Sequence, residues 1–396
     1  MIAKTMVPFV QGSSAVRAMF EEGKIMAAKY GAENVYDFSL GNPNLYPPEI
    51  VKDSIIEVLE TENPHYVHGY MSNAGFETTR TAIAENLNKR FGSHFTMKNI
   101  IMTVGAASGL NVILKTVLDP EDEVIVFAPY FAEYTNYIHN FLGRVVVVPP
   151  NPENGFLPDR EAFRSRITER TKAVIINSPN NPTGVVYPAE TLQMLADVLH
   201  EAQERIGHAI YLVADEPYRE LVYTEADVPY VPDFFENTLI AYSFSKALSL
   251  PGERIGYIVV PDESDNPGEF IDAAITNNRI LGSVNAPSLM QLAIIKCLDS
   301  KVDVGFYKKN AEDLYQFMTE AGFQCVKPQG AFYLWVTSPV PDEKEFVNAA
   351  KEERLIFVPG SSFASPGHVR LSFCVSHDMI LRARDSIMAL GKKYFG

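Results

Sequence analysis

Between residues 99 and 261 the chain alternates short β-branched runs with longer amphipathic stretches, and this alternation limits the fold more than any other feature. The runs are NIIMTV, EVIVFAPY, RVVVVPP, KAVIINS, IYLVADEPY, LIAYSFS and RIGYIVVP. Stretches such as AASGLNVILKTVL and AETLQMLADVLHEAQERIG stand between them and carry helical periodicity. A strand that is apolar at nearly every position has no face to give to water. Such strands belong in a mostly parallel sheet covered by helices on both sides. The expected class is α/β.

Past about residue 280 the pattern changes. SLMQLAIIKCL, DVGFYKKNAEDLYQFMTEAG and HDMILRARDSIMALGKKY read as helices, while FYLWVT, LIFVPG and HVRLSFCV read as strands. Helices grouped with a few strands predict a smaller α+β domain, and 396 residues suit two domains. VRAMFEEGKIMAAKYG reads as a further helix near the N-terminus, with no packing partner named by its periodicity.

The net charge is −15 and the sequence pI about 5.1, so a phosphate backbone would be repelled on average. Nucleic acid is thus not an expected partner, and any bound anion must be held by local arginines or backbone amides. The three cysteines, Cys297, Cys325 and Cys374, are odd in number and well separated, with no C-x-x-C pair. They predict neither a disulfide framework nor a zinc or other metal site, and suit a reducing cytoplasm. No run reaches the ~18 apolar residues of a membrane span, and the first residues lack the apolar core of a signal peptide.

The stretch AYSFSKALSLPGERIGY, residues 241 to 257, carries the most chemistry. Ser243-x-x-Lys246 is the pattern of some serine nucleophiles, and Ser264-Asp265-Asn266 repeats a second element of that signature. The third element, K-T-G, does not occur in the chain. Lys246 could also be a carbonyl-trapping lysine or a solvated surface charge. It follows a buried strand, however, and so stands where open α/β sheets bind ligands. Other strand ends are similarly equipped. VADEPY brings Asp215 and Tyr218, INSPNNPTG brings Asn181, TVGAASGL brings a small-residue turn at Gly105 to Ala107, and FAPYFAEY brings Tyr130. Each alone is ordinary turn or capping chemistry; together they fall on one edge of one sheet.

This ordered set resembles the class I/II aminotransferases, pyridoxal-phosphate enzymes of fold type I. The matching elements are SLGNP, GYMSNAGFETTR, TVGAASGL, PYFAEY, NSPNNPTG, DEPY, SFSKALSLPGERIG and VRLSF, in order over nearly the whole chain. The resemblance implies a large domain, 46–280, with a mostly parallel seven-stranded sheet between helices. It also implies a small α+β domain, 281–396, with which an N-terminal segment, 1–45, packs. Lys246 would hold pyridoxal 5′-phosphate as a Schiff base and move protons at the substrate α-carbon. Asp215 would pair with the pyridinium nitrogen and keep the ring an electron sink, while Tyr218 and Asn181 would bond its 3′ oxygen. Tyr130 would stack on the ring. The phosphate would rest on the Ala106 and Ala107 amides, Ser243 and Arg254, with Tyr70 reaching it from the other subunit of a homodimer. Arg370 and the Gly41 amide would take the substrate α-carboxylate.

The same cofactor kit serves cysteine-sulfur β-lyases, and an idle binding or regulatory protein could keep the fold. The resemblance favours transamination between an L-amino acid and a 2-oxo acid such as 2-oxoglutarate. Prokaryotic-type aspartate aminotransferases often carry a lysine after the small residues of the phosphate loop, where this chain has Ala107 and Ser108. Arg17, in SSAVRAMF, is the substitute expected to meet a distal substrate carboxylate.

Overall fold

The computed structural model describes residues 2–11, 15–225 and 228–396. A short strand, β1 (Tyr36–Asp37), precedes the main sheet. The seven apolar runs then form β2 (Ile100–Thr103), β3 (Glu123–Phe127), β4 (Arg144–Val148), β5 (Thr171–Asn177), β6 (Tyr211–Asp215), β7 (Thr238–Ser243) and β8 (Gly256–Val259). Their order in the sheet is β2-β8-β7-β6-β5-β3-β4. Pairing is parallel except around β8, which is antiparallel to both of its neighbours.

Why the runs are apolar throughout is visible in the packing. In β5, Val174 and Ile176 enter one core with Leu192, Leu195 and Leu199 of the helix Ala189–Ile206. Their neighbours Ala173 and Ile175 enter a second core with Ile113 and Leu114 of the helix Ala106–Val117. Each strand thus feeds two cores by simple alternation, and the sheet is a buried layer between helices. Helices Glu49–Thr61, Glu77–Phe91 and Pro267–Ile280 add to those expected from the sequence.

A third core lies under a four-stranded antiparallel sheet of β9 (Cys325–Val326), β10 (Tyr333–Thr337), β12 (Val358–Pro359) and β13 (His368–Ser372). The helices Val304–Glu320, Glu343–Glu352 and His377–Phe395 cover it. The run LIFVPG, read above as one strand, is two. Leu355 and Ile356 form β11 and pair in parallel with β1, whereas β12 pairs with β13, so the run is shared between two sheets. The N-terminal helix Ala15–Tyr30 finds its partner here, because Met26 packs with Val35 and Ile356.

Sheet register sets the chemistry of one edge. Asn177 ends β5 opposite Asp215, which ends β6 opposite Ala241, two residues before Ser243 ends β7. Ser243 faces Gly256 of antiparallel β8, so the segment carrying Arg254 enters from the same edge.

The layered core makes a stability prediction. Leu199→Ala, at a fully buried site, should cost about 2–5 kcal/mol through the cavity it leaves. Gln193→Ala, on the exposed face of the same helix, should change stability by no more than about 0.5 kcal/mol. Thermal denaturation of both variants checks the contrast.

Candidate active site

A cavity of ≈ 590 Å³ opens at this strand edge, within the usual range of small-ligand sites. Four cationic side chains, Arg17, Lys246, Arg254 and Arg370, line it against two acidic ones, Glu133 and Asp215. In a chain of net charge −15, the cavity is therefore a local reversal of sign suited to anions.

Lys246 enters from the four-residue helix Phe244–Ala247, which follows β7 without a loop. The Ser243 hydroxyl caps that turn by accepting from the Ser245 amide, and also bonds the Ser245 hydroxyl at 2.7 Å. The Lys246 Nζ instead donates to the Gly41 carbonyl at 2.9 Å and lies 5.3 Å from the centre of the Phe332 ring. Burial pushes its amine down to about 8; Cys374 opposes this, while Arg254 and Arg370 act with it. Ser243 and Lys246 are thus no nucleophile and base pair. The second element of that reading, Ser264 to Asn266, leads into the helix Pro267–Ile280, and its Asp265 and Asn266 line a different surface hollow.

Asp215 is buried, with its backbone carbonyl accepting from the Asn177 side chain at 2.7 Å. Its two carboxyl oxygens differ. Oδ2 accepts a hydrogen bond from the Tyr134 hydroxyl, whereas Oδ1 has no partner among the described residues. Burial raises the carboxyl to about 7, against the lowering effect of the Tyr134 bond, with Glu216 adding to the rise. The turn after Asp215 is held by a buried ion pair in which the Arg219 guanidinium donates to the Glu216 carboxylate. This fixes the three-residue step to Tyr218, whose hydroxyl lies 2.9 Å from that of Tyr333.

At the phosphate-loop candidate, Gly105 precedes the helix Ala106–Val117, and among the described residues no side chain caps that helix. Gly105 has φ +82°, and a Cβ there would stand 2.7 Å from the Arg254 guanidinium. Only glycine satisfies both the backbone and this approach. Arg254 donates to the carbonyls of Pro251 and Val104 at 2.9 and 3.0 Å, so the guanidinium is held beside the open helix start. Ala106, Ala107 and Ser243 complete this part of the lining.

On the other side, β13 presents Arg370, which is buried. Its guanidinium donates to Asn181 Oδ1 at 3.0 Å and to the Ser39 carbonyl at 2.7 Å, between the rings of Tyr333 and Phe363. Asn181 is held in turn by the Asn177 side chain, which accepts from its amide. Gly41 abuts Tyr333 so closely that any side chain at 41 would fall on the tyrosine hydroxyl. Arg17, exposed on the N-terminal helix, lines the mouth together with Phe20.

Comparison with known proteins decides what such a site belongs to. A family model described as aminotransferase class I and II matches residues 32–387. This chain belongs to that family. An amino transferase from Eubacterium rectale is 44% identical, with a TM-score of 0.97 and 100% of each chain covered. An aspartate aminotransferase from Thermus thermophilus, solved with maleate, is 31% identical at a TM-score of 0.87, covering 98% of this chain and 99% of its own. The aspartate/prephenate aminotransferase of Thermus thermophilus is 35% identical over 87% of both chains.

One residue expected in this aminotransferase's cavity, Tyr130, lies elsewhere in the subunit, while Tyr70, expected at the cavity of a second subunit, stands on the surface. Tyr130 is outside the lining: its ring is buried in the core with Tyr134 and Ile138, and its hydroxyl bonds Thr135 at 2.9 Å. The next residue, Phe131, lines the cavity instead. Tyr70 is 95% exposed and borders a separate surface hollow with His68 and Asn285. Three residues that sequence reasoning passed over, Phe131, Tyr134 and Tyr333, contact the site or its side chains. No local signal marked Phe131, which precedes the helix Glu133–Asn140, or Tyr134, which reads as an ordinary aromatic in its first turn. Tyr333 was hidden inside a run read only as a strand.

Because Asp215 is raised from the usual 3.8 to about 7, ionising it in the apoprotein opposes folding. The cost is absent below about pH 4, grows through the interval, and reaches roughly 4 kcal/mol above pH 7. Asp215→Asn apoprotein should therefore melt higher than the parent at pH 8, with the gap narrowing at pH 5. Differential scanning calorimetry at the two pH values measures it; a gap independent of pH would contradict the assignment.

Proposed function

We propose that this aminotransferase uses pyridoxal 5′-phosphate to move the amino group of an L-amino acid to a 2-oxo acid such as 2-oxoglutarate, by ping-pong chemistry. The observation that carries the reading is the Asp215 Oδ1, a buried carboxyl oxygen without a partner among the described residues, on a side chain that lines the same cavity as a lysine whose amine is depressed to about 8. That oxygen fits a ring N–H, and the uncapped helix start beside Arg254 and Ser243 fits a phosphate. The residues present thus suit the cofactor at both of its polar ends.

When bound, pyridoxal phosphate supplies an electron sink for negative charge at the substrate α-carbon. The chain's own groups do the rest. Lys246 would be the attachment point, and its amine would take the α-proton of the donor, a task suited to a base near neutrality. Asp215 would hold the ring nitrogen protonated. Tyr218 and Asn181 would bond the 3′ oxygen, and Phe131, which lines the cavity where Tyr130 does not, would take the ring-contact role. Ala106, Ala107, Ser243 and Arg254 would hold the phosphate. Arg370, already sharing Asn181, takes the α-carboxylate in a paired geometry, with Gly41 beside it.

The same reading assigns 46–280 to the cofactor-binding domain and 281–396, with segment 1–45, to the smaller one. It makes the protein a homodimer, supported by the exposed apolar side chains of Tyr46, Ile50, Leu59, Tyr66, Tyr70 and Ile280. Tyr70 then acts in the cavity of the other copy. Three free cysteines suit the cytoplasm, and among the described residues no helix is long and apolar enough to cross a membrane.

A panel of amino donors with 2-oxoglutarate tests the reaction. The expected products are glutamate and the 2-oxo acid of the donor; release of ammonia and pyruvate from cysteine-type donors would replace transaminase with lyase. Aspartate and glutamate are the expected donors, in line with the aspartate aminotransferases among the relatives and with Arg17 at the mouth. Arg17→Ala should lower kcat/KM for both about fivefold, as expected for roughly 1 kcal/mol from a solvent-screened ion pair. Unchanged kcat/KM for dicarboxylic donors would remove Arg17 from the substrate site.

A further inference from the structure

The segment PYFAEY gives the cavity more than a ring to line it. Tyr134 stands three residues after Phe131, at the start of the helix Glu133–Asn140. It is only 1% exposed, with Tyr130 stacked parallel at 6.3 Å and Phe131 edge-on at 5.5 Å. Its hydroxyl has one acceptor, the Asp215 Oδ2, at 2.5 Å.

Strand pairing fixes the backbone of Asp215 between Asn177 and Ala241. What remains free is rotation of the carboxyl group, which decides which oxygen faces the cavity. The Tyr134 bond removes that freedom: it ties Oδ2 to the helix and leaves Oδ1 as the open acceptor. We propose that Tyr134 is a positioning residue that aims Asp215 Oδ1 at the ring nitrogen of the bound cofactor and holds the carboxyl group as an acceptor. The proposal rests on reading the cavity as a pyridoxal-phosphate site.

The groups around this carboxyl are Tyr134 and Tyr137 from the helix, Glu216 and Tyr218 from its own turn, and Lys246 and Arg254 elsewhere in the cavity lining. Tyr134 is the one whose hydrogen bond lowers the carboxyl against the rise that burial imposes. Removing its hydroxyl therefore moves the titration of Asp215 upward, and a carboxyl that keeps its proton is a poorer acceptor for a ring N–H.

Tyr134→Phe deletes the oxygen and keeps the buried ring. Titration of the apoprotein with pyridoxal phosphate should give a Kd raised about tenfold. Carboxyl-carbon NMR of the apoprotein should place the Asp215 midpoint higher than in the parent. In the loaded enzyme kcat should fall roughly 10- to 100-fold with KM little changed, and the bound chromophore should titrate at a shifted pH. A ring that only fills space would move none of the titrations. Because the tyrosine acts through the aspartate, Tyr134→Phe should have no added effect on Kd in an Asp215→Asn background; full additivity would overturn the proposal, as would parental Kd and Asp215 titration in the single variant. If the parent protein itself fails to take up pyridoxal phosphate, the reading of the cavity falls and this inference with it. If parent and variant load equally well, only the role of Tyr134 falls.

Discussion

Parallel pairing of β5, β6 and β7 is the constraint on which the site depends. Asn177 and Asp215 are opposite one another because the strands are in that register and no other. A slip of one residue would send Val174 and Ile176 to the wrong core and turn Asp215 away from the cavity at the same time. The alternation that fills the two cores on either side of the sheet is thus also what aims the functional side chains. Stability and chemistry are fixed by one choice of register. The turns that follow the strands then add their own residues: Lys246 through a short helix, Tyr218 through a turn clamped by Glu216 and Arg219, and Asn181 through its bond to Asn177.

Burial acts on the two central groups in opposite senses. It lowers the amine of Lys246 and raises the carboxyl of Asp215, each toward its neutral form. Both groups are thereby left near neutrality, where a small change in surroundings decides their charge. Burial lowers Arg370 as well, but its guanidinium is solvated by bonds to the Asn181 and Ser39 oxygens and by two flanking rings. Its Nε still lacks a partner among the described residues, so capacity for a further acceptor remains.

Much of this was legible before any coordinates. Seven apolar runs predict seven strands, and all seven lie in one sheet, because a run with no polar face can only be an inner layer. Lys246, Asp215, Asn181 and Arg370 could be singled out because strand ends and turn motifs mark them. The rest needed three dimensions. The sequence cannot say that Phe131 rather than Tyr130 turns toward the cavity, since that depends on how the segment after β3 leaves the sheet. Tyr134 looks like any helix aromatic until β6 is placed beside it. Tyr333 lies in a strand of a different sheet, 115 residues from its partner Tyr218, and no local pattern links the two. The split of LIFVPG between two sheets is equally non-local.

The central claim is that these strand ends make one cofactor site with Lys246 as its attachment point. It is tested most directly by incubating the protein with pyridoxal phosphate, reducing with borohydride, digesting, and mapping the label by mass spectrometry. One reduced pyridoxyl group per chain, on the peptide containing Lys246, is the predicted result. Label on another lysine, or no stable label at all, would contradict it.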